Sequence, residues 1–146
     1  MKHSEIEWSK LISFGLALVG KPYKFGAEID IKKIAADPNP NSIIAIDCSE
    51  LIEVLFALVG LSVPDGSYNQ AKFCRHVSKD NLLIGDLAFK WWPDTEVIHH
   101  VGINIGEGRI LEAKGRDFGV IVTPIEKYTN SSHFAFFGRH PKILDA

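Results

Sequence analysis

The run Asp47-Cys48-Ser49-Glu50 sets a thiol at the mouth of an apolar stretch with helical spacing, Leu51, Leu55, Leu58 and Val59, which closes on Gly60. Asp47 suits the N-cap. Glu50, three residues on, can reach back to the cap N–H, so Cys48 falls at the first helical position. There the sulfur faces unpaired backbone N–H groups and the positive end of the helix dipole. That setting is expected to lower a thiol pKa and to hold an oxyanion after attack on a carbonyl. A free cysteine is more often a small buried hydrophobe, so the thiol needs a partner to be a nucleophile.

The partner must be a base within hydrogen-bond reach. The segment "HHVGINIGEGRILEAKG" at 99–115 offers one. With a three-residue turn at Gly106-Glu107-Gly108, Ile105 pairs with Arg109, Gly102 faces Glu112 and His100 faces Lys114. His100, Gly102, Glu112 and Lys114 then share one face, with Glu112 diagonal to His100. Val101, Ile103, Leu111 and Ala113 make the other, apolar face. A two-residue turn is expected to separate the pair, because a one-residue slip moves a side chain across the sheet. In the pairing register Glu112 accepts the imidazole N–H, fixes the tautomer and steadies the imidazolium, while His99 points to the opposite face. Without further context, a hydrogen-bonded structural histidine and a solvated strand carboxylate paired with Lys114 or Arg109 are the more common readings of His100 and Glu112.

The elements that must position these residues follow from the rest of the chain. Its 146 residues are 46% hydrophobic with a formal net charge of -2, which suits one folded domain over 1–146 and gives no broad basic footprint for nucleic acid. Leu11 to Gly20 is too short to span a membrane, and no signal-peptide cleavage site follows it. It reads instead as part of an amphipathic first helix carrying Ile6, Leu11, Phe14, Leu18 and Val19, capped by Ser4 and closed by Gly20. The expectation is cytoplasmic synthesis without a signal peptide and no membrane insertion. Residues 27–46 read as irregular, with turn chemistry in "ADPNPN" at 36–41, and a short helix is expected over 67–75. Strands are expected at 86–92, 99–105, 109–114, 119–124 and 133–140. Helices before strands imply an α+β fold, with N-terminal helices packed on an antiparallel sheet of five to six strands. Cys74, His76, His99 and His100 lack zinc-ligand spacing, and Trp91-Trp92 suits either strand-end packing or stacking on a sugar ring.

In this order, "GKPYKFG" (20–26), "DCSELI" (47–52), "GLSVPDGSYNQ" (60–70), "IGDLAFK" (84–90), the 99–115 segment and a late strand ending at Arg139 resemble the NlpC/P60 cysteine peptidases. The resemblance implies a papain-like α+β core with Cys48 as nucleophile, His100 as base and Glu112 as the third polar residue. It also implies that Tyr23 lies beside the nucleophile and that Asp47 and Ser49 contact the substrate, with no metal or organic cofactor. The implied reaction is hydrolysis of peptidoglycan stem peptides through a Cys48 thioester, at the bond after D-glutamate. Delivery to the wall by other proteins, as for a phage-encoded enzyme, fits the absence of an export signal. Three departures stand out: Glu50 replaces a usual glycine, Glu112 replaces a usual histidine, and 27–46 looks like a loop insertion. An amidase or acyltransferase of the same fold stays open, as does an inactive cell-wall-binding module, which the charge of Glu50 beside Cys48 keeps in view.

Overall fold

The computed structural model describes residues 1–145. The helix-period first half and the alternating second half form the expected α+β architecture. Among the described residues the helices are α1 (Trp8–Ala17), α2 (Ile31–Ala36), α3 (Cys48–Leu58), α4 (Ser67–Phe73) and α5 (Ile125–Thr129). The strands are β1 (Arg75–Val77), β2 (Leu87–Trp92), β3 (Val97–Gly106), β4 (Arg109–Ala113), β5 (Val120–Pro124) and β6 (Phe134–Arg139). They form one antiparallel sheet in the order β1-β6-β2-β3-β4-β5.

Helix α3 is apolar nearly all round because it is covered nearly all round. It packs on β3 and β4 and against α1, α2 and α4. Leu51, Ile52, Val54, Leu55 and Phe56 are fully buried there. Each such side chain stabilises the fold by about 1.5–3 kcal/mol, so the seat of α3 on the sheet is firmly set, and with it the position of Cys48 at its first residue. The opposite sheet face is covered by α5. Tyr128 packs there with Ala88, Ile110 and Phe137, and its hydroxyl donates to the Ala88 carbonyl at 2.7 Å.

Several local expectations are corrected. Ser4 does not cap α1 but sits in a short 3-10 turn, His3–Glu5, and the helix starts at Trp8. The cause is tertiary: the His3 N–H donates to Leu144 O at 2.9 Å, which ties the first residues to the C-terminal segment. Val19 falls beyond α1 and is exposed. The irregular stretch 27–46 contains α2, capped by Asp30, whose carboxylate accepts the Lys33 N–H at 3.1 Å, and anchored by buried Ile34. The helix expected over 67–75 ends at Phe73, because Arg75 is already paired with Arg139 on β6.

The β3–β4 turn is also corrected. Gly106 pairs with Arg109 around two central residues, Glu107 and Gly108, both at positive φ (56° and 68°) as a type I′ turn requires. A register shift between Asn104 and Gly106 leaves Ile105 as an extra residue and cancels the odd step, so Ile103 faces Leu111. His100 and Glu112 therefore share a face through a bulge, not through a three-residue turn.

Candidate active site

The mouth of α3 is built by the expected capping box. Asp47 Oδ1 accepts the Glu50 N–H at 2.8 Å, and Glu50 Oε1 accepts the Asp47 N–H at 3.1 Å. The same two carboxylates reach the preceding loop: Asp47 Oδ2 accepts from Gly26 N at 3.1 Å and Glu50 from Ala27 N at 3.3 Å. At its other end this loop is bonded to β5, where Gly20 N donates to Val120 O at 2.9 Å and Val120 N to Lys21 O at 3.0 Å. Tyr23, bridged to Ile46, lies between these two anchorages.

A cavity of about 310 Å³ is lined by Cys48, His100, Glu112, Tyr23, Lys90 and Lys114, with His99, Ser131 and His133 completing its wall. His100 Nε2 lies 2.8 Å from Glu112 Oε1. The second Glu112 oxygen accepts the Thr123 hydroxyl. Glu112 is fully buried. This arrangement leaves His100 Nδ1 with no hydrogen-bond partner among the described residues. Gly102 permits it: a Cβ there would stand 2.6 Å from Ile110 Cγ2 and 3.4 Å from the Glu112 Cβ. The backbone N–H of Val101, the residue after His100, is among the groups that act to lower the Cys48 thiol pKa.

The electrostatics overturn one expectation. Burial pushes the Cys48 thiol up to about 11, with the Asp47 charge adding to it, against the N–H groups of Val101, Ser49 and Cys48 itself. The helix terminus acts as anticipated but loses to desolvation. Burial likewise raises Tyr23 to about 12, helped by the charges of Cys48, Asp47 and Glu50. For Glu112 burial acts upward, but the His100 hydrogen bond and charge, the Thr123 bond and Lys90 outweigh it and hold the carboxyl below its ordinary value.

Cys48, His100, Glu112 and Tyr23 therefore meet at one cavity. Asp47 and Ser49 do not line it: both are buried in the cap, where the Ser49 hydroxyl donates to Asp47 Oδ1 at 3.2 Å. Glu50 is also held in the cap and does not line the cavity, although its charge is felt at Tyr23. His99, expected on the far face, lines the cavity after all. The β2–β3 register shifts between Lys90 and Trp91, and the His99 ring stacks on Trp92 with centroids 3.9 Å apart. Cys74 and His76 belong to the far edge of the sheet, beside β1. Thr123, Lys90 and His133 are not among the residues the sequence singles out, and Lys114 enters there only as a hairpin neighbour of His100 and Glu112. Thr123 was within reach of the register argument, since β5 places it opposite Ile110 and diagonal to Glu112.

Residues 20–139 match the NlpC/P60 family. The chain is 34% identical over 110 residues to the peptidoglycan endopeptidase RipB of Mycobacterium tuberculosis, covering 75% of this chain and 44% of that protein. It is 30% identical over 104 residues to the gamma-D-glutamyl-L-lysine dipeptidyl-peptidase of Bacillus subtilis, covering 70% of this chain and 31% of that protein. This chain thus spans less than half the length of either relative. The solved P60 domain of antigen MAP1204 from Mycobacterium avium subspecies paratuberculosis shares the fold with a TM-score of 0.68 and 28% identity, over 90% of this chain and 93% of that one. Since the match extends over residues 20–139 and so covers most of the chain, the chain belongs to the NlpC/P60 family.

Proposed function

We propose that the protein is a cysteine peptidase that hydrolyses peptidoglycan stem peptides, at the bond following D-glutamate. One observation carries this reading: the cavity that holds the Cys48 thiol also holds an imidazole whose Nε2 is occupied by Glu112 at 2.8 Å, so that Nδ1 remains to take a proton. The names of the two curated relatives support the substrate class, and the second supports a γ-D-glutamyl bond.

In this mechanism the thiol is not ionised beforehand, because burial holds it up. His100 accepts the proton as sulfur attacks the carbonyl, and Glu112 stabilises the resulting imidazolium. Backbone N–H groups at the start of α3 hold the oxyanion. Collapse of the tetrahedral species breaks the C–N bond, and His100 returns the proton to the leaving amine. Water, deprotonated by His100, then hydrolyses the thioester. Tyr23 contacts substrate from the cavity wall, whereas Asp47 and Ser49 act by holding the Cys48 turn. The segment 27–46 is an insertion within one catalytic domain, tied to the site through Ala27.

The test is Cys48→Ala. It should abolish release of peptides from muropeptides while thermal unfolding stays close to that of the parent. Digestion at the parental rate would remove Cys48 as nucleophile. Running intact sacculi beside free muropeptides separates wall lysis from processing of released peptides.

A further inference from the structure

The charge inventory of the cavity is unbalanced. Lys90 and Lys114 both line it. Its one acid among the described residues is Glu112, and both of that carboxylate's oxygens are taken, by His100 and by Thr123. Neither lysine has an ion-pair partner within 4.0 Å among the described residues. Each ammonium rests on an aromatic ring instead. Lys90 Nζ is 4.3 Å from the centroid of Tyr128, and Lys114 Nζ is 4.3 Å from that of Phe118. Such contacts hold a cation in place without neutralising it. Lys90 is opposite His100 on β2, and Lys114 follows β4 two residues beyond Glu112, so the cations flank the His100–Glu112 pair from neighbouring strands. They also feel each other: burial lowers the Lys90 pKa, with Glu112 opposing and the Lys114 charge adding to the fall.

Two half-buried cations that repel each other, with no free acid between them, make an anion site. We infer that Lys90 and Lys114 form a carboxylate subsite that selects substrates with a free carboxylate beside the scissile bond. This rests on the peptidase reading above. A γ-linked D-glutamate leaves its α-carboxylate free, and that group is the one assigned to the lysine pair. The subsite makes the enzyme discriminate against peptides in which this carboxylate is replaced by a neutral carboxamide of nearly the same shape.

The experiment compares an N-acetylated γ-D-glutamyl-L-lysine peptide with its α-carboxamide counterpart. In the parent chain kcat/KM should favour the free acid by about tenfold or more, as fits a charge-assisted contact. In Lys90→Met/Lys114→Met the preference should fall to about twofold or less, and in Lys90→Arg/Lys114→Arg it should largely survive. The ratio cancels any effect of Lys90 on the shared chemical step. Raising salt should shrink it. Lys114→Gln alone, expected to cut the ratio about threefold, serves if the double variant does not fold. A parental ratio near one, or a ratio unchanged by these substitutions, overturns the inference. If neither peptide is cleaved, it is the peptidase reading that fails, and calorimetric binding of both peptides to the Cys48→Ala chain decides the subsite. Tighter binding of the acid that disappears with the lysines upholds it, and equal or absent binding of the two peptides refutes it.

Discussion

The sheet buries two charged clusters, and they differ in what is left over. At the β6 end, Arg139 and Asp86 are almost wholly enclosed, 2% and 1% exposed. Arg139 donates from Nε to Asp86 Oδ1 at 2.7 Å and from Nη2 to Asp86 Oδ2 at 2.6 Å, while Leu83 N–H also serves that carboxylate. Nη1 also donates to Asp145 Oδ1 and Nη2 to Asn81 O. Every nitrogen of the guanidinium is thus engaged. On β3, β4 and β5, Glu112 is equally buried and equally satisfied, but His100, which lines a cavity with a thiol in it, spends one nitrogen and leaves the other without a partner among the described residues. Burial and a nitrogen held by a carboxylate are common to both clusters, so neither property marks a site. A nitrogen left without a partner on a side chain that lines a cavity does.

That contrast can be broken by substitution. His100→Ala should cost about 10⁴-fold in kcat/KM on muropeptides with little change in unfolding temperature. Arg139→Met should do the reverse, losing about 3–5 kcal/mol in denaturant unfolding by stranding Asp86, while the folded fraction keeps its kcat. If Arg139→Met lowers the kcat of folded protein as far as His100→Ala does, the distinction fails. Glu112→Gln should lower kcat by about 10²-fold, since an amide cannot stabilise the imidazolium as a carboxylate does. It also carries a pH signature. Because the folded Glu112 pKa is depressed, its stabilising contribution is present above the ordinary carboxyl value of 4.5 and is lost as pH falls below that value through the folded one. Glu112→Gln should therefore flatten the acid limb of the stability-against-pH curve. The smallest effect is expected from Thr123→Val, about tenfold in kcat, because it removes one hydrogen bond to a charged group. Recovery with Thr123→Ser would show that the hydroxyl, not the side-chain volume, holds Glu112.

What could be read from the sequence was what is local. The Asp47–Glu50 capping box needs only four consecutive residues, and it forms as expected. Face alternation brings His100 and Glu112 together, although the turn holds two central residues rather than the three expected and a bulge at Ile105 restores the register. The cap at Ser4 failed because a distant segment, around Leu144, competes for the same backbone. The thiol pKa failed for a similar reason: a helix terminus is visible in sequence, whereas the burial that outweighs it depends on what packs around Cys48. Thr123, Tyr128 and Lys90 arrive from β5, α5 and β2, and only the order of strands in the sheet brings them to the hairpin.

The Tyr23 loop is fastened at one end to the strand that carries Thr123 and at the other to the cap that carries Cys48. It is thus a strut of set length between β5 and the turn that carries the thiol. Insertion or deletion of a residue between Gly20 and Gly26 shifts one of these anchorages against the other, even where the side chains of Cys48 and His100 are untouched.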